Sequence, residues 1–149
     1  MRQRPWRLAV ALVLAAAGAA AVAAIWPAAS RAGGDRARTV VVTMHHSRFE
    51  PSVIQVAPGE RVRFVLRNSD PIDHEFILGD ASVQRRHEQG HQRQHHGDVP
   101  GERSVAAGQE AATTYSFAAT SGGQALEFAC HLPGHYAYGM HGTVRVSGG

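Results

Sequence analysis

Cys130-His131-Leu132-Pro133-Gly134-His135-Tyr136-Ala137-Tyr138-Gly139-Met140 places a thiol, an imidazole and a thioether at C-x4-H-x4-M spacing on one short segment. Cys130 is the only cysteine in the chain, so it makes no internal disulfide. It is left as a buried thiol, an intermolecular bridge or a metal ligand. Pro133 fixes one backbone angle, while Gly134 and Gly139 permit the sharp turns that a segment carrying three converging side chains requires. The β-branched run Gly142-Thr143-Val144-Arg145-Val146 follows at once and reads as a strand.

Toward the N-terminus the same texture repeats. Residues 39–44, 53–56, 104–106, 113–117 and 125–129 are short strand-like runs separated by turn residues. Residues 61–67 alternate, with Val62, Phe64 and Leu66 on one face and Arg61, Arg63 and Arg67 on the other, which is the half-buried strand pattern. Ala57-Pro58-Gly59-Glu60 before it is a turn, and residues 74–78 form a further apolar run that begins at His74. Seven or eight short strands at this spacing predict an all-β fold, a Greek-key β-sandwich. Residues 39–149, about 110 of them, suffice for one small core. Residues 80–101 interrupt the pattern as a polar insertion without Phe, Trp or Tyr, and carry His87, His91, His95 and His96.

Residues 1–32 are of another kind. Arg2, Arg4 and Arg7 precede an uncharged apolar run over 8–26, and Pro27, Ala28, Ala29 and Ser30 follow. This is the layout of a secretory signal. The run is also close to the roughly 20 residues that span a bilayer, so an uncleaved membrane anchor stays open as the alternative. Residues 33–38 read as a linker. Either route exports the domain to the periplasm or the extracellular face. Beyond residue 32 there remain eleven arginines and no lysine against twelve acids, a formal charge of −1, so no basic stripe argues for nucleic acid.

Two imidazoles, a thiolate and a weak thioether are the ligand set of a blue-copper site. His74, Cys130, His135 and Met140 supply it here. Taken singly, each has an ordinary reading: a core cysteine or methionine, a surface or strand histidine. Their joint spacing favours ligation. Zinc prefers more thiolates and no thioether, which argues for copper. His131 and His141 flank ligands but point elsewhere by the alternation of neighbouring side chains. His45 and His46 read as ordinary residues near a strand end. If the insertion is helical, His87 and His91 fall at i and i+4 and form a candidate pair for a weaker second metal, copper or zinc; the competing reading is a solvated loop.

Four segments resemble the cupredoxins, the blue-copper fold of plastocyanin, azurin and rusticyanin: Ser47-Arg48-Phe49-Glu50-Pro51, Val56-Ala57-Pro58-Gly59-Glu60-Arg61-Val62, Asp73-His74-Glu75-Phe76, and the Cys130 segment with its following strand. The ligand spacing is more similar to rusticyanin than to plastocyanin. One position departs from the resemblance: Glu75 stands where azurin and plastocyanin carry an Asn that ties the ligand loops together. By analogy with azurin, the carbonyl of Asp73 would approach the metal from the other axial side. The resemblance further implies an apolar patch around His135, formed by Leu132, Pro133, Tyr136, Tyr138, Pro71 and Ile72, where a redox protein such as a cytochrome or an oxidase docks.

The expected function is therefore that of an exported one-electron carrier and not an enzyme. No triad, carboxylate pair, phosphate loop or H-x-H copper set accompanies the site. Two other readings remain: a copper-binding or buffering protein for resistance or delivery, which the His-rich insertion suits, and a detached subunit that supplies an oxidase.

Overall fold

The computed structural model describes residues 36–90 and 98–148. The signal or anchor segment and half of the linker (33–35) lie outside that range, as do His91, His95 and His96.

Two sheets form the domain. The first runs β2(Arg48–Glu50)-β1(Arg38–His45)-β4(Arg61–Asn68)-β7(Glu110–Ser116), and the second β3(Val53–Val56)-β9(His141–Val146)-β8(Ala125–Ala129)-β5(His74–Gly79)-β6(Glu102–Val105). The pairs β1 with β4 and β3 with β9 are parallel, and the other pairs are antiparallel. This is the predicted sandwich, with nine strands among the described residues. The additional one is β2. It is only three residues long and closes on β1 as a hairpin, which is too short to leave a periodic signature in the sequence.

The alternation of β4 holds: Val62, Phe64 and Leu66 are buried, and Arg61, Arg63 and Arg67 are exposed. These side chains meet Val42, Met44, Ile54, Val56, Val144 and Val146 between the sheets. An aromatic cluster fills the centre. Phe76 stacks on Phe128 with ring centroids 5.2 Å apart, and Phe49 meets both rings edge-on. Burying each such side chain contributes roughly 1.5–3 kcal/mol.

The insertion begins with order that its composition conceals. Asp80 caps helix α1(Ala81–Glu88), accepting hydrogen bonds from the backbone of Ser82 and Val83. The helix lies over the outer face of β5, so close that a Cβ on Gly79 would fall 2.6 Å from Val83. Gln84 donates from Nε2 to the carbonyls of Ile77 and Glu127, at 3.1 and 2.8 Å. β5 is consequently buried at all six positions, covered by the core on one face and the helix on the other.

β9 meets its neighbours with no spare room at its start. A Cβ on Gly142 would lie 2.3 Å from Phe128 Cζ and 2.6 Å from the carbonyl oxygen of Ser52, which accepts from Thr143 N. Gly142→Ala is therefore expected to destabilise the domain by about 1–3 kcal/mol, the usual range for overpacking; equilibrium urea unfolding measures it. An unchanged midpoint would show that β9 can move away freely.

Candidate metal centre

Three donors converge at one end of the sandwich. His74 begins β5, Cys130 directly follows β8, and His135 lies on the loop between β8 and β9. Their ligand atoms all lie within 4.8 Å of one another. The Nδ1 atoms of His74 and His135 face each other at 3.2 Å, and Cys130 Sγ is 3.2 Å from His135 Nδ1. An ion with bonds of about 2.0–2.3 Å, the range for imidazole and thiolate on a first-row metal, holds its donors at such separations. Among the described residues this is the one group of three or more His, Cys, Asp or Glu side chains so arranged.

The loop is stitched so that its ligands cannot drift apart. Cys130 N donates to Met140 O at 3.1 Å and Met140 N donates to His135 O at 3.0 Å, which binds the three motif residues by main chain alone. Further bonds run from His135 N to Leu132 O and from Gly139 N to Tyr136 O. Gly134 and Gly139 adopt φ of +85° and +88°, which side-chain-bearing residues rarely enter. Met140 is completely buried beside Cys130 in the core cluster.

Cys130 is completely buried, and burial pushes its thiol up to about 11. The backbone N–H groups of Glu75 and Leu132 donate to the sulfur and oppose that rise. Burial likewise lowers His135, and the neighbouring His74 lowers it further. The lowered imidazole suits metal binding, which needs it neutral, whereas the raised thiol opposes it, so that the ion must displace the Cys130 proton.

Two carboxylates, Asp70 and Glu75, bond to the ligand segments. Asp70, buried in the β4–β5 loop, lies 2.8 Å from His74 Nε2 through its Oδ2. Burial alone would raise its carboxyl, but hydrogen bonds from Ser47 N, His74 and His46 N outweigh it and hold the group below the usual carboxylate range. Glu75 ties the two ligand segments together. Its Oε1 accepts from His131 N at 2.9 Å. A carboxylate thus makes the tie that the resemblance to azurin and plastocyanin assigns to an amide.

The flanking histidines turn away as expected. His131 Nε2 meets Gln84 Oε1 at 2.8 Å, and its ring stacks on Tyr136 with centroids 5.4 Å apart. His141 stacks on the other side of Tyr136, and His87 stacks on His131. His87 was half of the expected second metal pair. It is buried, with Nδ1 2.9 Å from Val83 O and Nε2 3.3 Å from Glu102 Oε2, so its nitrogens tie α1 to β6. Its partner in that expectation, His91, lies outside the described residues. Of the expected apolar patch, Tyr138 is 73% and Ile72 46% exposed, beside a half-buried His135.

Asp70 is the functional group that sequence reading passed over. The one available signal was an acid four residues before a candidate ligand, inside the loop Asn68-Ser69-Asp70-Pro71.

Comparison with known proteins agrees with this site. Residues 37–147 match the family described as copper binding proteins, plastocyanin/azurin family. The chain is 42% identical over 113 residues to the copper-resistant cuproprotein CopI of Rubrivivax gelatinosus, covering 73% of this chain and 66% of that protein. It is 32% identical to the CopI of Pseudomonas aeruginosa, covering 73% of this chain and 76% of that one. The chain thus spans just under two thirds of the Rubrivivax protein. Among solved structures, auracyanin from Roseiflexus castenholzii superposes with a TM-score of 0.62 at 15% identity, over 74% of this chain and 98% of that one. Auracyanin A of Chloroflexus aurantiacus, titled a "blue" copper protein, gives 0.59 at 16%, over 74% and 99%.

Because the Cys130 proton must leave, apparent Cu(I) affinity is expected to rise about tenfold per pH unit through neutral pH, up to the thiol's own value of about 11. Below the lowered range of His135 the dependence steepens, since an imidazolium must also lose its proton. Anaerobic competition against a chromophoric Cu(I) chelator measures the slope. A flat profile would mean that Cys130 is not a ligand. Cys130→Ser is expected to abolish the intense thiolate-to-copper absorption of the oxidised protein.

Proposed function

The chain belongs to the plastocyanin/azurin family of copper-binding proteins, and from that premise we propose that it binds and holds copper outside the cytoplasm as part of copper tolerance. One observation carries this reading: a buried thiol and two imidazoles within 4.8 Å of one another, in a chain whose similar relatives are named copper-resistant cuproproteins. This supports the copper-handling alternative over the electron carrier that the ligand set first suggests.

His74, Cys130, His135 and Met140 hold the ion. Bound there, copper supplies one-electron redox chemistry, because the site is type 1 in its donors. The residues themselves act by binding and exclusion. Thiolate and thioether are soft donors that retain Cu(I), imidazole suits Cu(II), and so one set of side chains keeps hold of both states. Burial of Cys130 and Met140 keeps water and competing thiols from the ion. A protein sequestering copper gains from this, since free copper does its damage by cycling in the open. The N-terminal segment and the lone cysteine support export, where thiols are otherwise prone to oxidation.

The second reading, single-electron transfer to a cytochrome or oxidase, draws on the exposure of Tyr138 and Ile72 beside His135. A small apolar surface of that kind suits a weak and transient partner.

Growth separates the two. Deleting the gene is expected to lower the copper concentration at which the host grows, with restoration by the full chain and none by Cys130→Ser. A deletion strain that tolerates copper fully but loses respiratory or photosynthetic electron flux would favour the carrier instead.

A further inference from the structure

Asp70 receives three donors on one buried carboxylate. Oδ2 lies 2.8 Å from His74 Nε2 and accepts from Ser47 N at 2.8 Å, while Oδ1 accepts from His46 N at 2.7 Å. The group is only 6% exposed. Its own N–H donates to Asn68 Oδ1 at 3.0 Å, and Asn68 in turn donates from Nδ2 to the carbonyls of Ile72, Val105 and Ala106. The loop that carries Asp70 is therefore pinned from both sides.

Two consequences follow from elementary chemistry. An ionised carboxylate only accepts hydrogen bonds. Nε2 of His74 must then carry the proton, and the lone pair sits on Nδ1, the atom that faces His135 and Cys130. Metal-binding histidines are commonly oriented in this way through their second nitrogen. The second consequence is electrostatic. A fixed negative charge one imidazole away from an ion favours the more positive ion.

The same carboxylate also explains a local oddity. His46 and Ser47 have φ of +50° and +52°, as a two-residue hairpin turn requires, yet neither is Gly, Asn or Asp. Asp70 accepts the N–H of both. The β1–β2 turn and the first ligand are thus held by one group, at the metal end of the sandwich.

We propose that Asp70 is a positioning residue that fixes the tautomer and orientation of His74 and, through its charge, biases the site toward Cu(II). This rests on the assignment of copper to the site and deepens it by naming the preferred oxidation state. It does not depend on the role in tolerance: the growth experiment can fail while every measurement below stands.

Asp70→Asn is the test, because an amide of the same shape offers one acceptor and one donor where three N–H groups converge. In metal-free unaltered protein, nitrogen-15 NMR of His74 is expected to show a proton on Nε2 and none on Nδ1. In the variant that preference should be lost or reversed. Copper affinity should fall about 10–100-fold, the usual effect of removing such a partner. The ratio of Cu(II) to Cu(I) affinity should fall about tenfold, read as a rise in reduction potential of about 59 mV for one electron. A variant that is merely less stable, with the tautomer and potential unchanged, would overturn the proposal. Should the variant fail to fold, the unaltered protein decides alone: a proton on Nδ1 of His74 in the metal-free state overturns it, and one on Nε2 supports it.

Discussion

The antiparallel pairing of β5 with β8 is the constraint on which the site depends. Its register sets Ile77 opposite Ala129 and Leu78 opposite Phe128. Continued beyond the ladder, that register brings Glu75 alongside Cys130 and His131. Glu75 N then reaches Cys130 Sγ, and the Glu75 carboxylate reaches His131 N. His74, one residue earlier, is thereby carried to the sulfur. A slip of one residue would turn every side chain of the strand to the other face and send the imidazole away from the thiol. The burial of β5 on both faces makes that slip costly, since Phe76 and Leu78 would leave the core.

Main-chain bonds and core packing together hold the ligand loop. The loop from Cys130 to Met140 closes on itself through His135, and its two left-handed glycines turn it without strain. The carboxylates of Asp70 and Glu75 stand behind the ligands, where hydrogen bonds to His74 and His131 N orient each ligand segment.

The His-rich insertion bears on the centre through structure. Helix α1 seals the outer face of β5, and Gln84 links the backbone of β5 and β8 to the ring of His131, the residue after the thiol. The rings of His87, His131, Tyr136 and His141 form a continuous stack from the helix to β9, beside the ligand loop. A segment that composition presents as a solvated loop thus begins as part of the wall behind the metal centre.

The sequence by itself determined the sandwich and the ligand set. Alternation over residues 61–67, turn residues at Pro58 and Gly59, and the C-x4-H-x4-M spacing are properties of neighbouring residues, and neighbouring residues are what a sequence displays. The short strand β2, the capped helix of the insertion, the burial of His87, the tie made by Glu75 and the hold of Asp70 on His74 were decided by the tertiary structure. Asp70 shows the reason most plainly. Its partners at His46 and Ser47 lie more than twenty residues away, on another hairpin. The parallel pairing of β1 with β4, which sets Met44 opposite Asn68, brings the β1–β2 turn to that carboxylate at the point where the chain leaves one sheet for the other and begins the ligand strand; local sequence does not display a pairing between strands so far apart.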